Sequence, residues 1–177
     1  MTDAELVERL KAYDDAAYDE VVSRYGDALY RYVYRLTDSH ALCEDIIGDT
    51  YLRMLEHIAT FTYTGVPFKS WLYRIAHNVA INTLKRDRRM VEVDDLERVA
   101  RPITDPTIRL ADRLDAEVVR GALEQLTEEQ RHVLLLRFVA GQSPGEVAQI
   151  LGKNENAVKQ MQWRALRALE RHLGPQR

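Results

Sequence analysis

Ser143-Pro144-Gly145-Glu146-Val147-Ala148-Gln149-Ile150-Leu151-Gly152-Lys153-Asn154-Glu155-Asn156-Ala157-Val158-Lys159-Gln160-Met161-Gln162-Trp163-Arg164-Ala165 decides the architecture of this chain. Ser143 and Glu146 stand three apart as a capping box, with proline in the first turn, and predict a short helix to Leu151. Gly152 closes that helix, and Asn154 caps a longer one from Glu155 to about Leu173. A short helix, a tight turn and a longer basic helix form a helix-turn-helix.

At helical spacing the last helix sorts into two faces. Val158, Met161, Ala165, Leu169 and Leu173 share the side expected to be buried. The opposite side carries Asn156, Lys159, Gln160, Trp163, Arg164, Arg167 and Arg171. Amides pair with adenine edges, while lysine and arginine reach guanine or phosphate. The N-terminal half enters the major groove, which assigns base edges to Asn156, Lys159 and Gln160 and phosphates to Arg164 and Arg167. Trp163 on the solvent side wants a partner: it either stacks on the DNA backbone or packs on another protein.

A second stripe lies upstream, in Phe68-Lys69-Ser70-Trp71-Leu72-Tyr73-Arg74-Ile75-Ala76-His77-Asn78. Phe68, Leu72, Ile75, Ala76 and Val79 make its core side. Trp71, Arg74, Asn78, Asn82 and Lys85 run along one flank at steps of three and four. An aromatic plate, cations and amides in one stripe supply what unstacked bases need: stacking, phosphate neutralisation and edge hydrogen bonds. The preceding loop, with Thr62 and Tyr63, is placed to hold an extruded base. The plainer alternative is that Trp71 is a core-edge residue and Asn78 a surface residue.

Working outward, nearly every periodic segment is helical, and no convincing alternating strand is present. Helices are expected over Asp3 to Tyr13, Ala16 to Leu36, His40 to His57, Pro67 to Arg89, Arg109 to Leu126, and from the Thr127-Gln130 capping box through Arg137 to about Ala140. Between Met90 and Pro106 the period dissolves, and Pro102 and Pro106 break any helix. The expectation is an all-α chain of two small helical domains, 1–89 and 109–177, joined by a flexible acidic linker, 90–108, with the helix-turn-helix in the second.

The bulk numbers agree. The chain has 177 residues, 46% hydrophobic and 30% charged, as a folded protein does. No apolar run is long enough for membrane insertion and no secretory signal opens the chain, so the expected location is cytoplasmic. The single Cys43 forms no internal disulfide and fits a small core position. A net charge of −3 argues at first against nucleic acid, but the charges are segregated. Basic residues crowd Lys85 to Arg89 and the last helix, and acidic ones crowd the middle, from Glu92 to Glu117. Without net positive charge the free protein is expected to bind DNA weakly at physiological salt.

No phosphate loop, placed nucleophile or paired carboxylates point to catalysis, and no cofactor or small-molecule substrate is expected. His40 and Cys43 lack a second ligand pair, so no metal is expected. His40, His57, His77, His132 and His172 are too dispersed in the sequence for an all-helical enzyme that uses His and acidic residues on facing helices. A two-domain regulator binding duplex DNA with the last helix alone remains the competing reading.

At these residues the chain resembles the extracytoplasmic-function sigma factors of bacterial RNA polymerase over nearly its whole length. The segment F-x-x-W-L-x-x-I-A-x-N is met by Phe68, Trp71, Leu72, Ile75, Ala76 and Asn78. An upstream helix motif is met by Glu44, Asp45, Ile46, Ile47, Asp49, Thr50, Tyr51, Leu52 and Arg53. Downstream, Leu123, Leu126, Arg131, Val133, Leu136, Arg137 and Phe138 match a third, and Ser143, Glu146, Val147, Ala148, Val158, Lys159, Arg164 and Ala165 a fourth.

The resemblance implies a non-enzymatic subunit that binds core RNA polymerase and recognises promoter DNA. The first domain would grip the polymerase through Glu44, Asp45, Asp49 and Arg53. It would melt the −10 element with Thr62, Tyr63, Phe68, Trp71, Arg74, Asn78, Asn82 and Lys85. The second would read the duplex −35 element with Asn156, Lys159, Gln160, Trp163, Arg164 and Arg167. The acidic linker would enter the polymerase cleft, and an anti-sigma factor would clamp the two domains. Three positions depart from the pattern: Gly48 replaces a usual Gln, Asn82 a frequent Asp and Met161 a frequent Arg.

Overall fold

The computed structural model describes residues 1–63, 66–93, 118 and 120–174, with 89–93 as backbone only. Every regular element among them is helical. Helix α1 (Asp3–Lys11) opens on a capping box in which Thr2 accepts from the Glu5 amide while Glu5 reaches back to the Thr2 amide. It stops two residues short of the expected Tyr13, which takes a left-handed conformation at φ 57° and turns the chain.

Helix α2 (Asp15–Thr37) buries Ala17, Val21, Tyr25, Leu29, Tyr32, Val33 and Leu36, a stripe at steps of three and four. Asp38 ends it in the left-handed region, and Ser39 caps α3 (His40–His57) at the Leu42 amide. One turn of 3₁₀ helix, Ile58–Thr60, leads to α4 (Phe68–Val93). Helices α2, α3 and α4 pack pairwise on one another, and α1 lies against α2. Phe68, Leu72, Ala76 and Val79 are buried as their spacing required, and Ile75 is half-buried. Helix α4 continues to Val93, so positions 90–93 of the expected linker are helical, while 94–108 lie outside the described residues.

Residues 120–124 are helical. Helix α5 (Glu128–Leu134) then opens on the Thr127-Gln130 capping box. In place of an α-helix through Arg137, residues Leu135–Val139 widen into a π turn, with the Ala140 amide donating to the Leu135 carbonyl five residues back. The widening serves two cores at once. Val133, Leu134, Leu135 and Leu136 are all buried, Leu134 against Ala165 and Ala168 and the other three in the main core. Gly141, at φ 65°, ends the element.

Helix α6 (Pro144–Leu151) carries the Ser143-Glu146 box, and Gly152 closes it in the left-handed region. Asn154 caps α7 (Glu155–Leu173) at the Ala157 amide. Its inner face is Val158, Ala165 and Ala168, with Met161 and Leu169 half-buried; Leu173, expected inside, is exposed at the helix end, where no element covers it. The two halves of the chain pack together. Helix α4 lies on α6, α2 lies on the π turn, and one apolar cluster runs from Leu6 through Phe68 to Ile150 and Val158.

Candidate functional site

Helix α7 is presented as its sequence pattern predicts. Asn156, Lys159, Gln160, Trp163, Arg164 and Arg167 are all exposed. The helix is held from behind by Val158 and Ala165 and at its start by the Asn154 cap, so the outward face is fixed without help from its own side chains. Lys159 pairs with Glu155 one turn earlier at 2.6 Å, and Arg167 with Glu170 at 3.0 Å. Exposed pairs at this spacing contribute about 0.3–0.5 kcal/mol, so both cations are readily surrendered to phosphate or base edges. Trp163 is 62% exposed, with the Arg167 guanidinium 5.5 Å from its ring centre. That contact shields one face of the indole and leaves the other open.

The second stripe is exposed along α4 at Arg74, Asn78, Asn82 and Lys85, and Thr62 and Tyr63 project from the preceding loop. Phe68 is different: it is 0% exposed, so its assignment to DNA contact is corrected. It lies on the core side of α4 and works as a brace. The Trp71 ring stands 5.7 Å from Phe68 and 4.8 Å from Phe61, and Phe61 meets Phe68 edge-on at 6.0 Å. Trp71 is therefore both a core-edge residue and a presented plate: its inner side packs on two phenylalanines and its outer side remains open. That outer side lines a cavity of about 340 Å3 with Thr60, Phe61, Thr62, Val66, Ser70 and Arg74, and with Gln149 and Ile150 of α6. A hydroxyl-rich wall, an indole and a guanidinium make this hollow suited to a planar, polar-edged group next to an anion.

Glu44, Asp45, Asp49 and Arg53 are exposed on α3, on the side opposite the buried Cys43, Ile46, Thr50 and Met54. Leu52 sits among them at 59% exposure, an apolar residue between Tyr51 and Arg53. Gly48 faces open space on this helix, with nothing within 4 Å of an added Cβ. The Cys43 thiol is buried and pushed up to about 11 by desolvation, which makes it an inert core group. His40 is engaged by the Tyr30 hydroxyl at 2.7 Å.

Sequence reasoning missed a polar seam between the halves. Ser70 donates to the Gln142 side-chain oxygen at 3.1 Å, and both residues are buried. His77 and His132 meet edge to face at 4.9 Å, and Tyr32 bonds His77 Nδ1 at 2.8 Å. Desolvation holds both imidazoles down at about 4, each deepened by a neighbouring cation-forming group, His132 for His77 and Arg131 for His132.

Comparison with known proteins follows the same division. The sigma-70 region 2 family matches residues 21–90 and the sigma-70 region 4 family residues 116–169. The sigma factor BldN of Streptomyces coelicolor is 37% identical over 174 residues, which is 96% of this chain and 65% of that protein. SigL of Mycobacterium tuberculosis is 31% identical over 154 residues, 87% of this chain and 85% of that protein. Among solved structures, CnrH in complex with the cytosolic domain of CnrY superposes with a TM-score of 0.73 at 25% identity, covering 97% of this chain and 96% of that one. The sigma factor RpoE bound to the anti-sigma factor NepR from Bartonella quintana shares the fold, with a TM-score of 0.73 at 24% identity over 90% of this chain and 98% of that one. Two family regions in order, with a relative spanned over most of its length, settle the membership: the chain belongs to the extracytoplasmic-function (ECF) RNA polymerase sigma factors.

Proposed function

We propose that this chain binds core RNA polymerase and directs it to specific promoters, acting by binding and not by catalysis. In this reading residues 1–89 hold the polymerase and melt the −10 element, 90–108 link, and 109–177 read the −35 duplex. Glu44, Asp45, Asp49 and Arg53, with Leu52, face the polymerase. Thr62, Tyr63, Trp71, Arg74, Asn78, Asn82 and Lys85 take the unpaired −10 strand, with Phe68 supporting Trp71 from the core. Asn156, Lys159, Gln160, Arg164 and Arg167 meet the duplex, and Trp163 stacks beside them. The work is done beside RNA polymerase, in the cytoplasm, and no helix of the described residues is long and apolar enough to cross a membrane.

The observation that supports this reading is that one chain carries two unlike surfaces suited to nucleic acid, a convex basic helix and an aromatic-lined hollow. A duplex reader needs only the first; an initiation factor needs both. An anti-sigma factor is the expected regulatory partner, as in the RpoE–NepR complex of the relative. The test is run-off transcription with purified chain and core polymerase on a pool of promoter fragments. Discrete start sites dependent on the chain are expected. No transcript on any template, together with failure to co-purify with core polymerase, would leave a stand-alone duplex-binding regulator.

A further inference from the structure

We propose that the groove between helix α2 and the π turn is a binding site for a nucleoside diphosphate, separate from both DNA surfaces. Its volume is about 460 Å3, and it is walled by Arg31, Tyr34 and Arg35 of α2 and by Phe138 and Val139 of the π turn. That volume lies within the range that takes a small organic ligand. None of these five residues belongs to the surfaces assigned above to the polymerase, the −10 strand or the −35 duplex. The site therefore stands whether or not the promoter reading does.

Helix α2 builds the anion half. Arg31 and Arg35 stand one turn apart on one face, so their side chains are neighbours. Both are exposed, and among the described residues neither is engaged in an ion pair. The nearby Asp38 is taken by Arg120 at 3.5 Å, and the described lining of the groove holds two cations and no carboxylate. A guanidinium presents a planar fork that matches phosphate oxygens, and two of them at this spacing suit two adjacent phosphates.

The π turn builds the other half. Regular α winding would set Phe138 on the face of Leu134 and Leu135, three and four residues earlier, and bury it with them. The wider turn carries its ring out instead, to 61% exposure, where it lines the groove opposite the arginines. Such turns are found often at functional sites. The ring and the groove floor are both held in place. Arg137 stands 5.9 Å from the Phe138 ring centre and is itself fixed, donating to Gln162 Oε1 at 2.8 Å and to the Gln142 carbonyl. Tyr34 stacks on His40 at 4.6 Å, and the Tyr30 hydroxyl engages His40 Nδ1. A free anion would leave the phenyl ring unused, and an apolar ligand would leave two cations unanswered. A flat base on Phe138 with its diphosphate on Arg31 and Arg35 uses both.

Isothermal titration calorimetry on the full chain tests this, without polymerase, because transcription itself supplies nucleotides. The probes are ADP, GDP, inorganic pyrophosphate and adenosine, at about 0.15 M salt so that loose surface charge is screened. One saturable site is expected for ADP and for GDP. Each should bind about 5- to 150-fold more tightly than pyrophosphate, the equivalent of one stacked base, and adenosine should bind more weakly still. Phe138→Ala should erase the advantage over pyrophosphate, while Arg35→Gln should weaken nucleotide and pyrophosphate alike by about 10-fold or more. Both replaced side chains are exposed, so unchanged helical circular dichroism is expected of the variants. No saturable binding of either nucleotide at millimolar concentration would overturn the proposal. So would nucleotide binding that survives Arg31→Gln with Arg35→Gln, or pyrophosphate binding as tightly as the nucleotides. Loss of nucleotide binding leaves the promoter reading untouched, and failure of run-off transcription leaves this site untouched.

Discussion

Helices α4 and α7 carry the same ingredients, one tryptophan and a file of cations and amides at helical spacing, yet they present them oppositely. On α7 the indole stands 62% exposed on a convex rod. On α4 it is half-sunk against Phe61 and Phe68 at the mouth of a hollow. The difference follows from what lies behind each helix. Helix α7 sits on its neighbours through Val158, Ala165 and Ala168, with Met161 and Leu169 half-buried beside them, so its outer face stays free. Helix α4 is a wall of the main core, and its aromatic plate is part of that wall. A rod suits a groove that already exists in duplex DNA, whereas a hollow suits bases that must first leave their stack.

The largest expected effect breaks the comparison at the core. Phe68→Ala should cost about 3–5 kcal/mol in chemical denaturation, as a fully buried ring does, while Trp163→Ala should change stability by less than about 0.5 kcal/mol. Equal losses would mean that α7 is as much a core element as α4.

Next in size is the response to acid. His77 and His132 have pKa values held at about 4 by burial, below their ordinary 6.5. A depressed histidine contributes stability to the folded, neutral state that is full above the ordinary value and is lost as pH falls toward the depressed one. Around the pair stand Arg131, Glu129 and Arg88, so the imidazoles are not isolated from other charge. Folding stability should be full above pH 6.5 and weaken between 6.5 and 4, by up to about 3 kcal/mol for each histidine. Urea unfolding across that range should show the loss in the wild type and roughly half of it in His132→Gln, where His77 alone still titrates.

The smallest effect concerns α3. Gly48→Ala fills open space in mid-helix and should stabilise the chain by about 1 kcal/mol in thermal or urea unfolding. A destabilisation would show that the glycine is needed for close approach.

How much of this was legible in the sequence differs between the two helices for the same reason. The helix-turn-helix is written in local chemistry: the Ser143-Glu146 box, Gly152 and Asn154 each act within four residues, and all three behave as their types require. The flank of α4 was equally legible as spacing. From spacing alone Phe68 fits both the core and a DNA contact, and only packing against Phe61 and Trp71 separates the two roles. The π turn at Leu135–Val139 hides in a run of four apolar residues that fits a buried helix of either winding. The seam was beyond reach of any local pattern, because Ser70 and Gln142 lie 72 residues apart and neither is unusual in its own neighbourhood. Exposed faces are legible where surface chemistry repeats at helical spacing, and contacts between the two halves are not.

In the proposed function, two surfaces of one chain do two separable jobs. Permanganate footprinting of promoter complexes formed with core polymerase tests it most directly, comparing Lys159→Ala and Trp71→Ala with the wild type. Lys159→Ala should weaken promoter occupancy by about 1–3 kcal/mol, with thymines still reactive in whatever complex forms. Trp71→Ala should leave the −35 region occupied but reduce thymine reactivity at −10 by a similar energy of lost stacking. If both variants lost occupancy and opening in the same proportion, the division of labour between α7 and α4 would be contradicted.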